Sequence, residues 1–269
     1  MKIAYGEIEM RKISSIFSLY DDASKTSRCF VSTRPLTFEQ INFPYGYVIY
    51  STTIHSGNIL DGSNIRDFGY IFIDDTYQGV ISPNYMPNAR SKLRLKFVAN
   101  DSILKIIVEN RGRQTYPTIN DSKGIIGDIF VDGIALRNWT ICGVDLELLQ
   151  NSLHYLNDKN KSTFQPGDIF IGEFTTKEIA DTYLEPFGWG KGVAFINNFN
   201  IGKYWPTAGP QVTLYVPKPL LNTTNVVMLI ELESIPTKCA TNLQKCRVRF
   251  VDKPVYKTQN KRINSLLRE

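Results

Sequence analysis

The stretch Gly188-Trp189-Gly190-Lys191-Gly192-Val193-Ala194-Phe195-Ile196-Asn197-Asn198-Phe199-Asn200-Ile201-Gly202-Lys203-Tyr204-Trp205-Pro206, running on through Thr207-Ala208-Gly209-Pro210-Gln211-Val212-Thr213-Leu214-Tyr215-Val216-Pro217, decides the fold class. Val193–Ile196 is a short β-prone run of alternating small and large side chains. Asn197-Asn198 tolerates the left-handed backbone that a tight hairpin needs. Asn200–Trp205 reads as the returning strand. Pro206, Gly209 and Pro210 break it, because proline lacks the N–H that a ladder requires. Val212–Val216 starts a third strand, which Pro217 ends. The segment reads as a β-meander carrying Trp189, Tyr204 and Trp205, with neither a nucleophile nor a metal ligand in it.

Working outward, the chain has 269 residues, 42% hydrophobic and 21% charged, which is ordinary globular composition. Net charge is +5 and the pI is near 8.9. The basic residues are scattered, apart from Lys253, Lys257, Lys261, Arg262 and Arg268 near the end. Basic and aromatic residues do not interleave there, so a solvated tail is expected and no nucleic-acid partner. No window is long and apolar enough for a helical membrane span. The first ten residues lack an apolar h-region, so no signal peptide is expected within this chain. Five Asn-x-Ser/Thr sequences occur, at Asn100, Asn120, Asn138, Asn160 and Asn222. A chain rich in these residues yields some of them by chance.

Strand signals recur along the whole length. Tyr5–Met10 alternates, Ser14–Arg34 reads as a connector, and Tyr45–Ile54 is the clearest strand of the first half. Gly69–Ile73 turns at Asp74-Asp75 and returns over Gln78–Ile81. Ser91–Val98 and Ile103–Val108 flank a turn at Asn100-Asp101. Leu146–Leu156 alone has a helical period, and the polar run after it reads as a linker. Ile169–Phe174, Thr182–Leu184, Asn225–Glu233 and Arg247–Asp252 complete a second β unit. The expected fold is all-β, with two tandem jelly-roll β-sandwich domains. Residues 1–43 form an N-terminal connector with an added strand, 44–146 the first all-β domain and 147–166 the linker. Residues 167–255 form the second jelly-roll domain, and 256–269 a basic tail.

Candidates for chemistry are few. His55 and His154 are the two histidines, and neither stands with a serine or cysteine in a nucleophile setting. There is no phosphate loop. Asp21-Asp22 and Asp74-Asp75 lie in turns, where aspartate is favoured for backbone reasons. The run Glu109–Gly124 places Arg113, Asp121 and Lys123 close enough in sequence for a local charge network around Tyr116. Flat aromatic faces stack on sugars; Tyr204 and Trp205 read as core, while glycine-flanked Trp189 reads equally as core or as a sugar-stacking face. Cys239 and Cys246 flank a short polar loop that a disulfide would close. Their spacing does not suit a zinc knuckle, and no metal or cofactor is expected.

With these residues set out, the chain resembles the acid β-galactosidases. Gly192–Pro206, Gly209–Pro217 and the strand ending Glu231-Leu232-Glu233 resemble their C-terminal galactose-binding-like domain. Val108–Arg113, Tyr116, Ile119–Gly124 and Asn138-Trp139-Thr140 resemble their first all-β domain. Pro35–Gln40 with Tyr45-Gly46-Tyr47 resembles the entry to that domain, and Phe250–Pro254 the far end of the matched region. The likeness runs from about Tyr5 to Val255 with motif order kept. In that family the two catalytic glutamates sit on an N-terminal TIM barrel of roughly 250 residues, which this chain does not have room for. The resemblance therefore implies a non-catalytic part of a longer galactoside hydrolase, lysosomal, vacuolar or secreted, partnered by a barrel in cis or in trans. It assigns no catalytic residue here. It implies a sugar contact from Tyr116, loop support from Arg113, Asp121 and Lys123, and a Cys239–Cys246 disulfide. Cys29 and Cys142 receive no partner. The alternative expectation is a stand-alone carbohydrate-binding module or an interaction protein.

Overall fold

A computed structural model describes residues 1–17, 29–86, 88–96, 98–114, 121–146 and 163–257. Tyr116, the segment with His154, most of the 147–166 linker and the tail beyond 257 lie outside the described residues. The chain divides into two compact units, Phe17–Leu149 and Met1–Ile16 with Gln150–Glu269. Both are antiparallel β structures, the class expected from the sequence. Among the described residues, no helix is long and apolar enough to cross a membrane.

The Phe17–Leu149 unit is built on a six-stranded sheet in the order Cys29–Ser32, Trp139–Val144, Tyr47–Ile54, Ser102–Glu109, Phe68–Ile73, Thr76–Ile81. Side chains alternate between the faces of a strand. Val48, Tyr50 and Ile54 thus join Leu104, Ile106, Val108 and Trp139 in one apolar cluster. A four-stranded sheet, Ile134–Ala135, Phe130–Val131, Ile59–Asp61, Lys92–Arg94, adds Leu60, Leu93 and Val131 to that cluster. Ile49, Tyr70, Phe72 and Ile107 are buried as well. This is why the central strands read as nearly continuous apolar runs. Asp74 and Asp75 take φ of 46° and 60°, the left-handed pair that a two-residue hairpin turn requires.

Two expectations for this unit change. Cys29–Ser32, read as connector, is an edge strand on Trp139–Val144, with Cys29 directly opposite Cys142. The two form a disulfide that the sequence left unassigned. Lys92–Arg94 does not return as Ser102–Glu109 through the Asn100-Asp101 turn, but pairs with Ile59–Asp61 in the other sheet. The six residues between Arg94 and Asp101 let the chain change sheets, and the apolar alternation of each strand is served equally by either partner.

In the other unit, one sheet runs Phe199–Tyr204, Gly192–Ile196, Thr224–Glu231, Asp168–Thr175, and a second runs Cys246–Val251, Thr182–Glu185, Leu214–Val216. The first strand, Gly6–Ser15, joins them. Its Gly6–Met10 half pairs with Cys246–Val251, and its Arg11–Ser15 half pairs with Asp168–Thr175. A register shift between Lys12 and Ser14 accompanies the change of partner. The close approach depends on Gly172, where a Cβ would lie 2.5 Å from Glu9 O and 2.7 Å from Met10 Sδ. Phe170, Leu184, Ala194, Val216, Leu229, Val248 and Phe250 meet in the core. Asn197 and Asn198, with φ of 46° and 69°, make the expected hairpin turn. The third strand of the expected meander departs: Leu214–Val216 pairs with Thr182–Glu185 in the other sheet. Pro206, Gly209 and Pro210 release the chain for that crossing. Cys239 on the short helix Thr237–Thr241 is bonded to Cys246.

Candidate functional site

The candidate site lies at the end of the Phe17–Leu149 unit where strand Ser102–Glu109 runs out. Asn110 fixes the exit. Its N–H donates to Gly46 O at 3.1 Å, its Nδ2 donates to Pro44 O at 2.8 Å, and its Oδ1 accepts from Gly112 N at 2.8 Å. Gly112 has φ of 98°, a conformation costly for any residue with a Cβ. The chain then doubles back. Gln114 N donates to Asp121 Oδ2 at 2.9 Å, joining the residues on either side of positions 115–120.

Register brings the charges together. Gly124 pairs with Arg66 in a two-stranded antiparallel ladder, so Lys123 faces Asp67. Lys123 Nζ sits 3.0 Å from Asp67 Oδ1 and 2.9 Å from Asp121 Oδ2. The Lys123 and Asp67 side chains are each only 5% exposed. Asp67 Oδ2 also accepts from Arg111 N at 2.8 Å. Glu39 supplies a further carboxylate. It accepts from Arg113 Nε at 3.0 Å and from Lys123 N at 3.2 Å, while Arg113 Nη1 donates to Pro44 O at 2.7 Å. Glu39 is held by its own turn: Thr37 N donates to Gln40 Oε1 at 2.8 Å and Gln40 N to Thr37 Oγ1 at 3.2 Å, as in a capping box.

The electrostatics favour the ionised network. Burial pushes the Asp121 carboxyl up, but the Gln114 N–H and the Lys123 ammonium outweigh it, and its pKa falls below the ordinary value. Glu39 behaves likewise, burial being outweighed chiefly by Arg113. Burial lowers the Lys123 pKa, yet Asp121 and Asp67 together raise it above the ordinary lysine value.

The network walls a cavity of about 540 Å³. Arg66, Asp67, Tyr85, Arg111, Arg113 and Lys123 are among its lining. Arg111 stacks its guanidinium 5.6 Å from the centre of the Phe68 ring. Asp67 and Asp121 are both committed to one ammonium, so neither is freed as a nucleophile or a proton carrier. Arg113, Asp121 and Lys123 thus lie in one network; Tyr116 lies outside the described residues. Sequence reasoning missed Glu39 and Asp67. The Thr37-Phe38-Glu39-Gln40 order was a signal for the first, as a capping-box pattern; Asp67 had none, being one acid of a polar loop.

Trp189 requires a correction. It is 2% exposed, its Nε1 donates to Arg247 O at 2.7 Å, and its ring meets Phe170 edge-on at 4.9 Å. A ring enclosed in this way has no face for a sugar. Its flanking glycines have backbone reasons: Gly188 has φ of 79°, and a Cβ on Gly190 would lie 2.7 Å from Ser234 N. Tyr204 is likewise buried, and Lys191 Nζ lies 4.4 Å over the half-buried Trp205 ring. Tyr204 OH donates to Glu231 Oε2 at 3.0 Å. Glu231 also accepts backbone N–H bonds from Gly190, Lys191, Leu232, Glu233 and Ser234. It is a structural hub at a strand end. His55 Nδ1 pairs at 2.7 Å with Asp101 on the open surface.

Comparison with known proteins places both units. Residues 35–145 match the β-galactosidase first all-β domain, and residues 169–225 match the β-galactosidase galactose-binding domain. The chain is 33% identical to mouse β-galactosidase over 287 aligned positions, covering 94% of this chain and 42% of that protein. It is 33% identical to Arabidopsis thaliana β-galactosidase 17, covering 86% of this chain and 37% of the relative. The chain thus spans well under half the length of these curated relatives. Among solved structures, a β-galacturonidase from Eisenbergiella tayi aligns with 87% of this chain and 37% of its own at 10% identity and a TM-score of 0.24, too slight a likeness to bear on the fold.

Proposed function

This chain belongs to the β-galactosidase family, as its first all-β and galactose-binding domains, and from that premise we propose that it is the non-catalytic part of a hydrolase of terminal β-linked galactose. The bond-breaking glutamates belong to a barrel, joined in a longer chain or supplied by a separate one. The Phe17–Leu149 unit holds the Asn110–Gly124 loop at the mouth of the barrel's site, where the Tyr116 phenol contacts the sugar. Arg113, Asp121 and Lys123 hold that loop in place. The observation that carries this reading is the buried Lys123–Asp67–Asp121 cluster with Glu39 behind Arg113. It ties together the residues on either side of positions 115–120 and pairs Asp67, Asp121 and Glu39 with cations. A rigid support of this kind is what a substrate-positioning residue requires.

The compartment proposed is a lysosome, a vacuole or the cell exterior, in keeping with two disulfides and no free cysteine among the described residues. The pure chain should not hydrolyse an aryl β-galactoside. Turnover abolished by a glutamate substitution within these 269 residues would overturn the proposal. Titration with millimolar galactose, followed by tryptophan fluorescence, should give no saturable change. A saturable one would favour the stand-alone carbohydrate-binding reading instead.

A further inference from the structure

Three of the Asn-x-Ser/Thr sequences fall within the described residues, and each places its asparagine at an exposed position, at Asn100, Asn138 and Asn222. The fold distinguishes them. At Asn100 the groups of the motif are engaged within the turn: Nδ2 donates to Asp101 Oδ2 at 3.4 Å, and Ser102 Oγ accepts from Ala99 N at 3.1 Å. At Asn138 the next residue is the fully buried Trp139, and Thr140 lies inside a strand paired on both sides. At Asn222 the three motif residues, Asn222, Thr223 and Thr224, are all exposed. The main chain there is pinned. Asn222 N donates to Asn225 Oδ1 at 2.8 Å, Asn225 Nδ2 donates to Asn222 O at 2.7 Å, and Thr176 N donates to Thr223 O at 2.9 Å. Leu221, immediately before, is anchored in the core. The Asn222 carboxamide and the Thr224 hydroxyl make no hydrogen bond among the described residues.

A second observation concerns the compartment. Both disulfides fit the oxidising compartment proposed above, and in eukaryotic cells an oxidising lumen is also where asparagines of this motif are glycosylated. We propose that Asn222 is an N-glycan acceptor. The donor is a lipid-linked pyrophosphoryl oligosaccharide. The Asn222 Nδ2 forms a bond to the anomeric carbon as the carbon–oxygen bond to pyrophosphate breaks. The amide gives up one proton, and the lipid pyrophosphate leaves with the electron pair. Transfer takes place on the emerging chain; the fold decides that the modified side chain is accommodated without displacing a core residue or a hydrogen bond. A glycan there keeps the turn before strand Thr224–Glu231 in solvent, so any protein partner of this unit docks elsewhere on it.

The proposal rests on the secretory reading above, and its test separates the two. The full chain, secreted from eukaryotic cells behind a cleavable leader, is trimmed with an endoglycosidase and mapped by peptide mass spectrometry with its disulfides intact. The peptide spanning Asn222 should carry a residual N-acetylhexosamine in the majority of molecules. N222Q and T224V should each lose it while remaining secreted with Cys239–Cys246 oxidised. An unmodified Asn222 in secreted, disulfide-bonded protein overturns the site and leaves the compartment reading standing. Secreted protein with reduced cysteines overturns both.

Discussion

Replacing Lys123 by methionine tests the network directly. The substitution keeps the length and most of the volume of the side chain and removes the ammonium that Asp67 and Asp121 share. Asp67 is then left buried, with only the Arg111 N–H on its other oxygen. Breaking a buried ion pair from one side costs about 3–5 kcal/mol. Asp121 is 21% exposed and keeps its bond from Gln114, so its share is small, roughly 0–1 kcal/mol. The stability of the Phe17–Leu149 unit should therefore fall by about 3–5 kcal/mol, most of it assignable to Asp67. Hydrogen exchange resolved by peptide reads each unit separately. Amides of strand Ser102–Glu109 should exchange between about a hundredfold and several thousandfold faster in K123M. Strand Thr224–Glu231, in the other unit, should be unchanged. D121N should change little, and the double variant D67N/K123M should recover part of the K123M loss, because the uncompensated charge is gone. A K123M protein with wild-type exchange at Ser102–Glu109, or a double variant as damaged as the sum of its singles, would refute the reasoning.

Gly172→Ala should destabilise the unit that holds the first strand, since the added Cβ meets Glu9 O at 2.5 Å; a lower urea midpoint is expected, with Gly6–Ser15 amides losing protection first. Cys29→Ser/Cys142→Ser opens a bond spanning 113 residues, worth roughly 5 kcal/mol by loop closure, against about 2.5 kcal/mol for the seven-residue Cys239–Cys246 separation; urea unfolding of the two double variants checks the order. The two units should respond oppositely to pH. Burial pushes the Glu231 carboxyl up to about 7 against the N–H bonds it accepts, so the folded state holds a proton that the unfolded chain releases near pH 4. That contribution is complete below pH ~4, and roughly 3 kcal/mol is lost as pH rises through about 7; E231Q should flatten the profile. Asp121 and Glu39 are depressed, so their contribution is complete above pH ~4 and is lost as pH falls through their lowered values. Exchange at Thr224–Glu231 and at Ser102–Glu109 across acid to neutral pH measures both trends.

Much of the local structure was legible because its cause is local. Asn197-Asn198 and Asp74-Asp75 turn their hairpins through backbone preferences that need no distant partner. Tyr47–Ile54 and Ser102–Glu109 announce themselves by composition. The β-galactosidase motifs mark both domains, since the order of short patterns is itself a property of the sequence. The candidate site was half legible. Arg113, Asp121 and Lys123 are close in sequence, so their grouping followed from spacing, whereas Glu39 and Asp67 come from 84 and 56 residues away.

The amino-acid order alone marked most of the long strands, the Asn197-Asn198 and Asp74-Asp75 turns and the family, because each rests on patterns within a few residues. Tertiary structure decided which strands pair. It sent Leu214–Val216 to the opposite sheet, divided Gly6–Ser15 between two sheets, set Cys29 opposite Cys142 and enclosed Trp189. A strand's alternation is satisfied by any neighbour offering a matching apolar face. Only simultaneous packing of the whole core, with every buried charge and N–H partnered, selects one arrangement.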